Sequence, residues 1–202
     1  MADGLGPVII ACGALATDLK AVLVAQGLGD AVEVRYLPAN LHNRPDRIVP
    51  SLEPLLADVG DRPVLVAYAD CGTGGALDRL LESHPNARRI PGAHCYEFFA
   101  GSALFSELHE AELGTFYLTD FLAKHFEPLI WQGLGLDRHP ELRDMYFGHY
   151  RLVVLLSQSE DPAVVAAAQV AADRLGLEFE HRHVGRAGLA SAVEVVISQR
   201  SS

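Results

Sequence analysis

A chain of 202 residues, half of them hydrophobic, is long enough to bury a sizeable core and reads as one domain, 1–202. Its 26 acidic residues against 16 basic ones give a formal net charge of -10 with no Lys/Arg run, which argues against nucleic acid and anionic membrane surfaces as partners. No segment approaches the roughly 18 consecutive apolar residues of a membrane span, the amino terminus lacks the basic flank of a signal peptide, and three cysteines make no disulfide framework, so a cytoplasmic protein with free thiols is expected.

Residues 8–11, VIIA, form an apolar run that enters Cys12-Gly13-Ala14-Leu15, and 16–26 carry apolar residues at helical spacing up to Gly27. A strand, a tight turn and a helix are expected there. AVEVRYL at 31–37 alternates as a second strand, and the polar loop PANLHNRP leads to a helix through Ile48, Leu52, Leu55 and Leu56 toward Gly60, with Pro45 suited to its first turn. The nearly unbroken apolar run PVLVAYA at 63–69 has the pattern of a central parallel strand covered on both faces, ending at Asp70-Cys71. A glycine turn at 72–75 and a helical face at 76–81 follow; after Arg88-Arg89-Ile90, residues 91–97 read as a short strand, with a helix from about Phe98.

Phe116, Leu118, Phe121, Leu122, Phe126, Leu129 and Ile130 recur at helix-compatible intervals, which predicts a helix over 115–133, N-capped by Thr115 and bent or divided at Pro128. With a further helix after His139-Pro140, the stretch 98–150 reads as a helical insertion. RLVVLLS at 151–157 is a buried strand, 162–175 an alanine-rich helix closed by Gly176, 177–184 a strand and 189–197 a last helix. This alternation predicts an α/β, Rossmann-like fold: a mostly parallel sheet with helices on both faces and right-handed crossovers, binding ligands beyond the carboxyl ends of its strands.

That rule gives the cysteines their interest. Cys12, Cys71 and Cys95 each sit just after an extended segment and just before a helix, so three distant turns can converge at one sheet edge. A single free cysteine is commonly a small buried hydrophobe; three at equivalent positions point to a three-thiolate metal site. Thiolates suit zinc and iron-sulfur clusters, and with no CxxC pair the spacing leaves a [4Fe-4S] cluster with one open iron and a mononuclear zinc as alternatives. His42, His94 and Glu97 are candidates for the fourth position or for acid/base work, and Asp70 for orienting a histidine. The DCGTGG stretch lacks the lysine of a phosphate loop and the third glycine of a dinucleotide fingerprint; Gly13, Gly72, Thr73, Gly74 and Gly75 are instead candidate backbone donors to a bound anion or cluster. A metal-free Cys-His-Asp nucleophile is an alternative. His125 reads as a polar-face residue, the YFGHY stretch at 146–150 as aromatic packing, and His181 and His183 as solvent-facing.

The motifs ACGAL, LHNRP, DCGTGG, GAHCYE and LTDFLAKHF with GLGLDRHPEL together resemble the domain-of-unknown-function family numbered 1638, over nearly the whole chain. The resemblance implies a bacterial or archaeal protein in the setting of corrinoid-dependent methyltransferase systems, with a corrinoid protein or methyltransferase as partner. It supplies no reaction. Cys12, His42, Cys71, His94, Cys95 and Glu97 match its pattern. The expectation is an enzyme, or enzyme-like accessory protein, acting on a small methylated or sulfur-containing compound. A non-catalytic module that binds a small molecule or a corrinoid is the alternative.

Overall fold

The structure, a computed structural model, describes residues 6–198 apart from the side chains of His42, Val196 and Ser198. It is an α/β, Rossmann-like protein whose chain divides into two compact units, each with its own parallel sheet. Of the described residues, one unit holds 6–98 and 186–198; the other is Phe99–Gly185.

In the first unit, β1 (Val8–Cys12), β2 (Glu33–Leu37), β3 (Val64–Ala67) and β4 (Ala87–Arg89) pair in the order β2-β1-β3-β4, all parallel. Every residue of β1 and β3 is buried, as their unbroken apolar runs require of central strands covered on both faces. Helices α1 (Ala16–Ala25), α2 (Ile48–Val59) and α3 (Ala76–Leu81) make the crossovers, and Pro45 opens a short 3-10 turn before α2. The right-handed rule puts α1 on one face and α2 with α3 on the other; α2 packs on α3 and β1. The carboxyl-terminal helix α9 (Ala187–Ser198) returns to this unit, packing on α1 and β3. Arg186, just before it, donates to the buried Asp18 carboxylate of α1 at 2.7 Å.

Two expectations change around the fourth strand. Residues 91–97 are not a strand: β4 is the shorter Ala87–Arg89, and helix α4 (Cys95–Ala100) starts three residues earlier than Phe98. Pro91 and Gly92 favour a bend over a ladder, since Gly92 sits at φ 100, so Cys95 opens a helix where a strand end was expected.

The second unit begins in α4 and continues through α5 (Ser102–Ala111) to a sheet ordered β5-β6-β7, again parallel: β5 (Thr115–Leu118), β6 (Leu152–Ser157) and β7 (Glu178–His183). The helix predicted over 115–133 is therefore corrected. TFYL, rich in β-branched and aromatic residues, pairs with β6, and its Phe116 and Leu118 merely coincide with a helical interval. Thr119, rather than Thr115, is the N-cap, accepting the N–H of Leu122 for α6 (Asp120–Lys124); at Pro128 the chain widens into the π-helical turn Glu127–Trp131. The stretch 98–150, expected to be a helical insertion, thus contributes a strand and packs with 151–185. After α7 (Leu142–Phe147) and β6, helix α8 (Pro162–Leu175) buries Val164, Ala168, Ala171, Ala172 and Leu175 and ends at Gly176 in the left-handed conformation. Asp120 ties the ends of β5 and β6 together: its carboxylate accepts the N–H groups of Gln158 at 2.9 Å and Ser159 at 3.0 Å, while its own N–H donates to Gln158 Oε1 at 3.0 Å.

Candidate functional site

The strand order of the first unit has one switch point. From β1 the chain goes to β2 on one side, then crosses back to β3 on the other, so the crevice between the carboxyl ends of β1 and β3 is left open between diverging connections. Cys12 is the last residue of β1, Cys71 lies four residues beyond the end of β3, and Cys95 is the first residue of α4. All three line one recess of about 430 Å³, its open mouth included. Its other walls are mainly apolar, among them Leu15, Ile48, Ile90 and Phe98, with one polar intruder, Tyr68.

Two hydrogen bonds bring the later turns together: the N–H of Asp70 donates to Gly92 O at 3.1 Å and that of Cys71 to Ala93 O at 2.9 Å. Cys71 adopts φ 50, the sole positive φ at a non-glycine among the described residues. The left-handed conformation costs an L-residue about 1–2 kcal/mol. Strain of this kind, held at a thiol in a crevice, is characteristic of positions kept for their chemistry.

The thiols hold their protons. Burial pushes Cys12 above the ordinary thiol range; it pushes Cys71, with help from the charge of Cys12, to about 11; and it pushes Cys95, with help from Cys71 and Cys12, higher still. That Cys71 feels the charge of Cys12, and Cys95 those of Cys71 and Cys12, reflects their common recess. Working against burial, backbone N–H groups favour the thiolates: that of Ala14 at Cys12, those of Ala69 and Cys95 at Cys71, and those of Cys95 and Tyr96 at Cys95. The Tyr68 hydroxyl also lowers the pKa of Cys12, yet it is buried and meets no partner in hydrogen-bonding geometry. Burial, followed by the charge of Cys12, keeps the phenol itself far from ionising. Among the described residues, no group of three His, Cys, Asp or Glu is gathered as a metal coordination sphere. The three cysteines share a recess without forming a closed cage.

The remaining predicted residues lie differently. Asp70 organises its own turn: its carboxylate accepts the Thr73 hydroxyl at 2.7 Å and the N–H groups of Gly75 at 2.8 Å and Gly74 at 3.1 Å. The Gly75 N–H first, then Thr73, hold its pKa below the ordinary carboxylate value. The N–H groups of Gly74 and Gly75 thus point to Asp70 within the turn. Gly72, at φ 82, packs against Pro45. Gly13 allows the end of β1 to approach β2 closely, since a Cβ there would stand 3.0 Å from Leu37 O. His94 is exposed with its ring 6.4 Å from that of Tyr96, while the adjacent Cys95 lines the recess, so the two neighbours face different ways. Glu97 reaches back to accept the N–H of Ala93 at 3.1 Å, a carboxylate cap on the start of α4. His42 lies in the 3-10 turn Ala39–Asn43, but its side chain is outside the described residues.

Tyr68 and the apolar walls are the part of the recess that sequence reading missed. The one signal available was a tyrosine at the end of an otherwise aliphatic central strand. Elsewhere, His125 Nδ1 lies 2.9 Å from Phe121 O with its ring stacked on Phe121, and Phe116, Phe147 and Tyr150 form an aromatic packing cluster. His181 and His183 are exposed, but they turn toward Ser157 instead of standing free in solvent. No helix among the described residues is long and apolar enough to cross a membrane.

A family model described as a protein of unknown function, DUF1638, matches residues 36–193, a span that contains Cys71 and Cys95 but not Cys12. No curated protein and no solved structure matches the chain.

Proposed function

The chain belongs to the DUF1638 family, whose description assigns no activity, and on the geometry of the recess we propose that it is a metal-thiolate protein, an enzyme or enzyme-like accessory component acting on a small methylated or sulfur-containing compound. The observation that carries this reading is the convergence of Cys12, Cys71 and Cys95 on one apolar recess at the switch point of the sheet, with backbone N–H groups favouring each thiolate.

The donor set fits a soft or borderline cation. Cys12 is buried and Cys71 and Cys95 are half-buried; burial, with the charge of Cys12 at the other two, favours the protonated thiols, and a cation held by all three would offset both burial and repulsion. Cys12, Cys71 and Cys95 would hold the metal, zinc or the open-iron [4Fe-4S] cluster. Bound there, it would supply Lewis-acid activation of a thiol or water at its open position. The chain's own contribution is the apolar wall, which excludes water, and the Tyr68 hydroxyl, a neutral donor available to a ligand. A metal-free nucleophile fits less well, because a thiol raised by burial is mostly protonated at neutral pH, whereas nucleophilic cysteines have depressed pKa values.

The recess is too small to enclose a corrin ring, so a small compound, not a corrinoid, is its proposed occupant. A corrinoid protein or methyltransferase enters this reading as a partner at the mouth. The second reading, a binding module without turnover, is favoured by the apolar character of the walls. Anaerobic purification with metal analysis and an absorption spectrum separates them. Stoichiometric zinc without colour, or iron with a broad visible band, each lost on replacing Cys12, Cys71 and Cys95 by serine, supports the metal reading; metal-free protein that cannot be reconstituted refutes it.

A further inference from the structure

Tyr68 brings to the thiol recess a hydroxyl that no described residue engages. It follows β3 directly and is 3% exposed, and its oxygen is buried without a hydrogen-bond partner among the described residues. The four strand residues before it are aliphatic and fully enclosed, so the chain reaches the recess with a single polar side chain at that point. The hydroxyl stands close enough to Cys12 to favour its thiolate, which places the oxygen on the side of the sulfurs.

Filling this position does not need an oxygen. A phenylalanine has nearly the same shape and leaves no buried donor to satisfy, as Phe98 shows on the same walls. What the hydroxyl does provide is a donor in an otherwise apolar crevice at the switch point, where a few polar groups commonly fix a ligand's orientation. The phenol stays neutral, so it offers a proton to an acceptor without bringing a charge. No Lys, Arg, His, Asp or Glu is among the described residues that line the recess. The charged groups nearby in the chain are engaged elsewhere: Asp70 by Thr73, Gly74 and Gly75, and Arg89 by Asp78 at 2.5 and 2.9 Å. An anionic ligand therefore finds no countercharge there, and a cationic one finds only thiols that hold their protons.

We propose that Tyr68 is the specificity-determining residue of the recess, selecting a small neutral compound with alkyl groups for the walls and an oxygen acceptor for the phenol. The acceptor takes the Tyr68 O–H, and the alkyl groups meet Leu15, Ile48, Ile90 and Phe98. This rests on the reading of the recess as the seat of a small compound, and narrows it. Ionic members of the methylated and sulfur-containing class, sulfonates and sulfonium ions among them, are turned away. Which metal the thiols hold does not enter.

The test reads the walls directly. The full chain, purified anaerobically with ¹³C-labelled isoleucine methyls, is titrated with dimethyl sulfone, with dimethyl sulfide, which lacks the oxygens, and with methanesulfonate, which keeps the sulfonyl group but is an anion. The Ile48 and Ile90 methyl signals, assigned from Ile48→Val and Ile90→Val, report occupancy. Dimethyl sulfone should shift both signals saturably, with methanesulfonate weaker by about tenfold or more. Tyr68→Phe should lose about tenfold in affinity for dimethyl sulfone while its affinity for dimethyl sulfide stays within about twofold. A merely structural tyrosine would change both affinities alike, and that result overturns the proposal. Equal binding of dimethyl sulfone by wild type and Tyr68→Phe, or of sulfone and sulfonate by the wild type, overturns it too and leaves the recess standing as a seat for small compounds. If no probe moves either methyl signal, that seat falls with it, whatever metal analysis of the same sample finds at the thiols.

Discussion

If Cys71 holds its proton until about pH 11 in the folded protein, alkali should destabilise the metal-free form in a defined window. The unfolded thiol ionises near its ordinary value of 9.0. Between these two points the unfolded chain has lost a proton that the folded chain retains, so stability present below pH 9 is lost progressively as pH rises toward 11. One pKa unit corresponds to about 1.4 kcal/mol. The contribution of Cys71 therefore amounts to about 1.4 kcal/mol by pH 10 and approaches ~2.7 kcal/mol well above pH 11. Urea unfolding of metal-free, reduced protein at intervals from pH 7 to pH 10.5, for the wild type and Cys71→Ser, isolates this thiol from the tyrosines that titrate in the same range. The wild-type curve should fall below the variant's curve above pH 9 by that margin. Parallel curves would show that Cys71 ionises as readily folded as unfolded and would remove the argument for a buried, proton-holding thiol cluster.

The same protons appear in metal binding. Zn²⁺ captured by these thiols at pH 7 should release about one proton per thiolate formed and gain about tenfold in apparent affinity per pH unit for each; calorimetry in two buffers of different ionisation heat measures the number, and zero release contradicts thiolate ligation. Tyr68→Phe removes a buried hydroxyl without a partner, so stability should stay level or rise by up to about 1 kcal/mol in urea melts; a loss above about 2 kcal/mol would reveal a structural bond at that oxygen. Asp70→Ala leaves the N–H groups of Gly74 and Gly75 and the Thr73 hydroxyl without their acceptor and should cost about 1–3 kcal/mol. Because the Asp70 pKa is depressed, its support should be present above the ordinary carboxylate range and fade as pH falls through the folded value; a variant whose acid unfolding profile matches the wild type would refute this. Gly72→Ala, forced to φ 82 against Pro45 Cγ at 3.2 Å, should lose about 1–2 kcal/mol by thermal unfolding; an unchanged midpoint would mean the turn re-forms without that conformation.

The local chemistry of many elements was legible in the chain. Continuous apolar runs marked β1, β3 and β6 because a central parallel strand is covered on both faces and has no polar side to display. Pro162 and Gly176 bracketed α8 because one fits a helix start and the other tolerates the left-handed stop. Legibility failed where two periods overlap. In TFYLTDFL the strand and the helix that follows share aromatic residues, and only the ladder to β6 decides that the first four residues are extended. That pairing partner lies more than 30 residues away, beyond the reach of local periodicity.

For the site, the sequence by itself determined that three thiols stand at turns that lead into helices in a mostly parallel pattern, because the strand-then-helix order leaves the connecting turns at one edge; of the strand ends expected before them, only that at Cys12 is one. Tertiary structure decided the rest. The order β2-β1-β3-β4 brings the ends of β1 and β3 together at the switch point, and the hydrogen bonds from Asp70 and Cys71 to the Gly92-Ala93 turn draw Cys95 in beside them. It also turned His94 outward while its neighbour Cys95 faces in, since adjacent residues at a helix start project in different directions. Burial around the sulfurs, which no local pattern encodes, is what keeps the three thiols protonated and sets how they would respond to a cation.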